Sequence, residues 1–309
     1  MFKHILVPLD GSRLAESALG IAASLARRLG ASLTLFHVIE AHAPSEVHRE
    51  RHLVSSDEAS DYLDEVAHLS MLSGAHVSTH VHETEAKDVA ASVREHSTEL
   101  TPDLIVMCTH GAGGARRLLF GDMAQQVIAH GKTPVLVVHP PKEGGSAVHD
   151  EDWRNILVPI DGNPSHEASL GVAADMAQSL HCRLNLLIVV PTLGRLAGLQ
   201  GAVSLFQPAT TRIKLELDNE GALAYVEGKA EQLQGRGIHC RSQAARGEPS
   251  AAILKAARQL PADLVVIGTH GKAGTEAFWA GSVAAKVIAK TRLPLLLVPV
   301  EPETGVFHP

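Results

Sequence analysis

Short apolar runs of four to seven residues alternate along this chain with longer stretches in which apolar residues recur every three or four positions. In the first half, runs at residues 5–9, 33–39, 77–82, 104–108 and 135–138 predict five strands. Helical spacing falls between them, at 15–29, 58–73, 87–96 and 122–130. A parallel strand pair needs a crossover, and a helix is the usual one, so this alternation predicts a doubly wound parallel sheet with helices on its faces. Thr133-Pro134 and Leu293-Pro294 precede the last strand of each half. Proline disfavours the helical conformation in the residue before it and ends the preceding helix there.

The pattern runs twice. Ile5-Leu6-Val7-Pro8-Leu9-Asp10-Gly11 returns as Ile156-Leu157-Val158-Pro159-Ile160-Asp161-Gly162. Asp103-Leu104-Ile105-Val106 returns as Asp263-Leu264-Val265-Val266, and Pro134-Val135-Leu136 as Pro294-Leu295-Leu296. Matched blocks in the same order mark a tandem repeat of one domain. The 309 residues suit two domains of roughly 150 residues each. The expected division is a first domain at 1–142, a polar, glycine-containing linker at 143–151, and a second domain at 152–309.

Apolar residues make up 45% of the chain and aromatics only 3%, so the two cores must be aliphatic. The formal charge of −7 comes without a basic stripe, which argues against nucleic acid as a partner. No apolar run approaches the roughly 20 residues of a membrane span. The chain starts directly in a strand, without an apolar leader, and its three cysteines, Cys108, Cys182 and Cys240, stand in no paired spacing. Both features predict a reducing, cytoplasmic location.

The candidate chemistry lies in Gly268-Thr269-His270-Gly271, followed nine residues later by Gly281-Ser282. An apolar run at 263–267 precedes it, and Val283, Val287 and Ile288 open a helix after it. Glycines let the backbone approach an anion closely, and the unpaired N–H groups of a helix start supply donors and partial positive charge. The first half carries the same frame as Cys108-Thr109-His110-Gly111 and Gly121-Asp122.

With the Val-Pro-x-Asp start and the glycine loop both placed, the chain resembles the universal stress protein family over essentially its whole length, as a tandem two-domain member. The resemblance implies a five-stranded parallel sheet in the order 3-2-1-4-5 in each domain, with ATP bound where strands 1 and 4 diverge. Ligands of open α/β sheets are expected at that switch point on general grounds as well. By the resemblance, backbone amides around Gly271-Lys272 and Ser282-Val283 hold phosphates, with Gly268 and Gly281 completing the loop and His270 filling it. Asp161, which follows Pro159, takes the ribose. Val189 touches adenine, and Gly247 makes the turn at the adenine edge. A bound triphosphate normally brings Mg²⁺. The same resemblance implies an intrachain pseudo-dimer and a homodimer of chains.

The first domain departs from this pattern. Cys108 stands for the first glycine and Asp122 for the hydroxyl residue, and a carboxylate about 4 Å from a phosphate at an effective dielectric of about 20 costs about 4 kcal/mol. The expected turn at 83–86 also lacks the Gly and Pro found at 247 and 249. We therefore expect no triphosphate in the first domain, although Asp10 and Val38 match the nucleoside end. Asp122 reads as an ordinary helix cap.

Two other features carry alternatives. His76, His80 and His82 share one face of the third strand, a spacing open to a metal but also that of a solvent-facing edge strand, the reading preferred. The apolar stretch 191–207, polar in the first domain, reads as a lid over the adenine, a dimer surface or a seat for an apolar ligand. No serine or aspartate stands at a catalytic spacing from His110 or His270, so no catalytic residue is assigned. The expected function is a cytoplasmic stress-response protein whose second domain binds ATP as a regulatory module. The alternatives are a nucleotide-free scaffold that binds a metal or an apolar ligand, and a slow ATPase. An ATP-using transferase or pyrophosphatase would carry a different loop after the first strand.

Overall fold

The computed structural model describes residues 1–40, 46–47, 50–51, 53–86, 90–93, 99–109, 127–128, 131–140, 153–162, 167–190, 208–270 and 282–300. The chain forms two compact units that part between Asp152 and Trp153, with the late segment Pro294–Pro299 grouped with the first.

In unit 1 the strands are β1 (His4–Pro8), β2 (Ser32–Glu40), β3 (His76–Ala86), β4 (Leu104–Cys108) and β5 (Val135–Val138). Their order is β3-β2-β1-β4-β5, all parallel, which is the predicted 3-2-1-4-5. β1, β2 and β4 carry aliphatic side chains on both faces. Ile5, Leu6, Leu33, Leu35 and Leu104 are wholly buried, as in any parallel sheet covered on both sides.

The helix expected at 15–29 is two helices, α1 (Arg13–Glu16) and α2 (Leu19–Leu29). Ser17 breaks it, because its hydroxyl donates to the Leu14 carbonyl at 2.5 Å and competes with the helical ladder. α2 ends at Gly30, whose φ of 64° is the left-handed conformation that closes helices. The helix expected at 58–73 is α3 (Ser56–Ala67), capped by Ser55, whose hydroxyl accepts from the Glu58 amide at 3.2 Å.

The turn expected at 83–86 is corrected: β3 runs through Ala86. Nothing at these positions forbids extended backbone. In unit 2 the equivalent strand stops at Arg246 because Gly247 has φ of 133° and Pro249 opens a helix.

Unit 2 contains β6 (Asn155–Ile160), α4 (Ala168–Leu180), β7 (Arg183–Val190), α5 (Pro208–Gly235), β8 (Cys240–Arg246), α6 (Pro249–Gln259), β9 (Leu264–His270) and α7 (Val283–Ile288). The strands lie in the order β8-β7-β6-β9, all parallel. α5 lays Val226, Ala230 and Leu233, spaced by four and three residues, onto β7 and β8. The last strand, β10 (Leu295–Val300), is buried at every position but one. The chain is thus two tandem doubly wound α/β domains, as its alternation predicts.

The repeat preserves a polar anchor as well. The Asp103 carboxylate accepts from the amides of Lys3 and His4 at 2.7 and 3.0 Å. Asp263 accepts from those of Arg154 and Asn155 at 2.7 and 2.8 Å. Each aspartate sits just before the fourth strand of its unit and fixes the start of the first, so the aspartate opening both repeated blocks aligns the central strand pair.

Candidate functional site

β6 ends at Ile160 and releases Asp161 and Gly162, the latter at φ of 80°, over the carboxyl edge of the unit 2 sheet. β7 delivers Val189 to the same edge, and β9 delivers Gly268 and Thr269. Ser282 follows with extended backbone, φ −69° and ψ 152°, and its hydroxyl accepts from the Ala285 amide at 3.1 Å. It is therefore the N-cap of α7, directing the first-turn amides of that helix toward the space in front of β6 and β9.

These elements enclose a cavity of about 240 Å³. Of the residues singled out by sequence, Pro159, Asp161, Val189, Gly268, Ser282 and Val283 line it. Gly247 is near in sequence to Pro249, which lines the cavity, but does not itself line it. Gly271, Lys272 and Gly281 lie outside the described residues, as does the side chain of His270. The wall also takes in Ile160, Ser169, Pro249, Ile253, Ile267, Thr269 and Ala284. Ile160, Ile253, Ile267 and Val189 supply apolar lining. Asp161, Ser169, Thr269 and Ser282 supply polar groups.

The two helices beside the cavity are tied together. Glu248 caps α6, accepting from the Ala251 amide at 2.8 Å and the Ser250 hydroxyl at 2.5 Å. Its other oxygen lies 3.8 Å from Lys286 of α7. The Ser250 hydroxyl above all, with the amides and the Lys286 charge against the cost of burial, holds the Glu248 carboxyl below its usual range.

A second polar group, at Glu167 beside α4, escaped the sequence reading. Glu167 accepts from the Tyr225 hydroxyl and pairs with Lys229 at 2.7 Å, both on α5. Burial opposes the charge of Glu167, but the hydrogen bonds from Lys229 and Tyr225 and the Lys229 charge outweigh it and lower the carboxyl. Burial, then Glu167, and then the Asp161 charge raise the Tyr225 hydroxyl, so this trio shares the field of Asp161. One signal could have found it. Glu16 and Glu167 stand six residues after Asp10 and Asp161, and Glu16 accepts from Tyr62 at 3.1 Å.

Unit 1 arranges the equivalent edge differently. The Asp10 carboxylate accepts from the Ser12 hydroxyl at 2.6 Å and its amide at 3.0 Å. A Cβ at Gly11 would stand 3.0 Å from the side chain of Leu53, which covers that glycine. The Cys108 thiol fills the place of Gly268 and accepts from Ser17 at 3.0 Å. Burial pushes this thiol up to about 11, the Ser17 hydrogen bond only partly opposing it and the Asp10 charge adding to it. His110, Gly111, Gly121 and Asp122 lie outside the described residues, and so does the apolar stretch 191–207.

The histidine face lies on β3, the edge strand of unit 1. His80 stacks on Phe36, ring centroids 5.6 Å apart, and His76 is exposed. Among the described residues no group of three or more His, Cys, Asp or Glu side chains could hold a metal. Among them, too, no helix is long and apolar enough to cross a membrane.

The parallel sheet, with a mixed apolar and polar cavity at the switch point between β6 and β9, defines a protein of the doubly wound α/β class, in which that position is where ligands are expected. More narrowly, the chain belongs to the universal stress protein family, which matches residues 1–139 and 152–299. It is 28% identical over 309 aligned residues to a universal stress protein of Mycolicibacterium smegmatis, covering 95% of this chain and 96% of that protein. It is 30% identical to universal stress protein YxiE of Bacillus subtilis, over 47% of this chain and 99% of that one. Its fold is similar to the crystal structure of a universal stress protein from Archaeoglobus fulgidus, with a TM-score of 0.67, 15% identity and 96% of each chain covered.

Proposed function

We propose that this protein binds an adenine nucleotide, ATP with Mg²⁺, in unit 2, and that occupancy of this one site makes it a regulatory module of a cytoplasmic stress response. The observation that carries the reading is the cavity at the switch point, where six residues chosen from sequence meet around about 240 Å³. That volume lies just under the roughly 300–1,000 Å³ of small-ligand clefts and suits the nucleoside part of the ligand. Asp161 takes the ribose and Val189 the base. Ser282 and the α7 amides, with Gly271, Lys272 and Gly281, take the phosphates.

In the same reading, unit 1 binds no triphosphate. Its ribose aspartate is engaged by Ser12, Leu53 covers Gly11, and a cysteine stands where a glycine would admit phosphate. No side chain is assigned as a general base, so hydrolysis is at most slow. Pairing of the two repeats and of two chains belongs to this reading through the family resemblance, and sedimentation equilibrium measures the latter.

The test is the nucleotide content of the purified full chain, released by heat and quantified by chromatography, followed by titration with Mg-ATP. About one adenine nucleotide per chain is expected. Two per chain would overturn the reading of unit 1. None, with no binding of added Mg-ATP, would overturn the function and favour a nucleotide-free scaffold.

A further inference from the structure

At the opposite, amino-terminal edge of the unit 2 strands lies a second cavity of about 370 Å³. Arg183, His239 and Arg241 line it, with Gln234, Cys240 and the Gly237-Ile238 turn. Arg183 is the first residue of β7, and it pairs across the sheet with Asn155. The Leu184 amide donates to the His239 carbonyl, and Arg241 pairs with Asn185. Alternation along a strand then places Arg183, His239 and Arg241 on one face, in adjacent rows.

Among the described residues neither arginine meets a carboxylate. The Arg183 guanidinium reaches only the Asn155 amide oxygen, at 3.5 Å, and no carboxylate lies within ion-pair distance of Arg183 or Arg241 among the described residues. Of the acidic groups on the neighbouring helices, Asp175 pairs with Arg236 and Glu167 with Lys229, and Glu227 and Glu231 of α5 lie beyond ion-pair distance of Arg183 and Arg241. Two guanidinium groups with no carboxylate partner among the described residues thus share one concavity.

The repeat provides an internal comparison. In unit 1 the places of Arg183, His239 and Arg241 are held by Ser32, His76 and Ser78. There the same face closes on itself: His4 bonds the Thr34 hydroxyl at 2.8 Å, and Thr34 bonds Ser78 at 3.0 Å. Unit 2 replaces this self-satisfied hydroxyl chain with guanidinium donors that meet no carboxylate among the described residues. The carbonyl end of α5 also faces this region and favours cations, but it amounts to about half a charge against two full ones, and its Leu233 and Gln234 carbonyls already accept from the amides of Arg236, Ile238 and Gly237.

We propose that this cavity is a second ligand site, for a compact phosphate-class anion of diphosphate size. Arg183 and Arg241 would clamp it from two strands, and His239 would donate a further hydrogen bond. The site is independent of the nucleotide cavity and does not rest on it.

The experiment uses the full chain with inorganic pyrophosphate as the probe, read by calorimetry and by the imidazole NMR signals of His239. Because pyrophosphate could also enter the glycine loop, the titration is repeated in Ser282→Asp. Binding that moves the His239 signals and persists in Ser282→Asp is expected. Arg183→Ser and Arg241→Ser, which copy the residues unit 1 tolerates, should each weaken it by about tenfold or more. Lys290→Ser, an exposed lysine elsewhere in the unit, should leave it unchanged. The proposal is overturned if about 10 mM pyrophosphate leaves His239 unmoved. Equal affinity in the arginine variants, or binding lost only in Ser282→Asp, overturns it too.

Discussion

Replacing Ser282 by aspartate separates stability from binding at one atom. Ser282 caps α7 through a 3.1 Å hydrogen bond to the Ala285 amide, a role aspartate fills as well as serine. A carboxylate at a helix start also gains about 0.3–1 kcal/mol from the helix dipole, so the unliganded Tm should hold or rise slightly. The same carboxylate lines the cavity where the phosphates would lie. At about 4 Å and an effective dielectric of about 20, one pair of like charges costs about 4 kcal/mol, roughly a thousandfold in Kd. Thermal shift reads both effects in one assay. At an ATP concentration of about 100 times the parent Kd, the ligand should stabilise the parent by about 2.7 kcal/mol. The variant at that concentration sits at about a tenth of its own Kd and gains under about 0.1 kcal/mol. A parent shifted by several degrees and a variant not shifted, with equal starting Tm, is the expected result. An unchanged Kd in Ser282→Asp would refute the phosphate role, and a collapsed Tm without ligand would refute the capping argument.

Asp263→Ala should destabilise unit 2 by about 2–4 kcal/mol in urea unfolding, since it strands the amides of Arg154 and Asn155 at the sheet edge; a loss under about 0.5 kcal/mol would count against the anchor. Burial pushes the thiols of Cys108 and Cys240 up to about 11 from 9.0, so alkylation at pH 8 should be about a hundredfold slower than for a free thiol and still be rising at pH 10; a plateau near pH 9 would contradict it. Glu167 has a carboxyl lowered in the folded state, so its contribution is complete above the ordinary carboxylate range near 4.5 and is lost as pH falls through the lower folded value. Glu167→Gln should therefore flatten the acid limb of the stability profile below about pH 4.5 while costing about 1–2 kcal/mol at neutral pH, and an unaltered acid limb would show the Lys229 pair to be idle.

Much of this molecule was legible in the chain because its signals are local. Apolar runs such as 104–108 and 135–138 match their strands to the residue, since a strand buried on both faces needs a continuous apolar run and these runs are too short for a helix. The repeat divided the chain in two, and the glycine loop with its terminal serine marked the helix start that Ser282 caps. Where the reading failed, a side chain competed with the backbone within one turn. Ser17 breaks the first helix by bonding the Leu14 carbonyl, and hydrophobic periodicity carries no trace of that competition.

The order in which strands lie, and therefore which residues meet, is a property of the folded sheet. Asp161, Val189, Gly268 and Ser282 come from distant segments, and parallel crossovers carry their ends to a single edge, where β7 and β9 flank β6 on opposite sides. The sequence by itself determined the fold class, the tandem repeat and the identity of those groups. Only tertiary structure decided that Glu167 meets Tyr225 and Lys229, that Leu53 covers Gly11, and that Arg183 and Arg241 line one cavity. The physical reason is range: propensity and periodicity act over a few residues, whereas charge, packing and hydrogen bonding act across whatever the fold brings within a few ångströms.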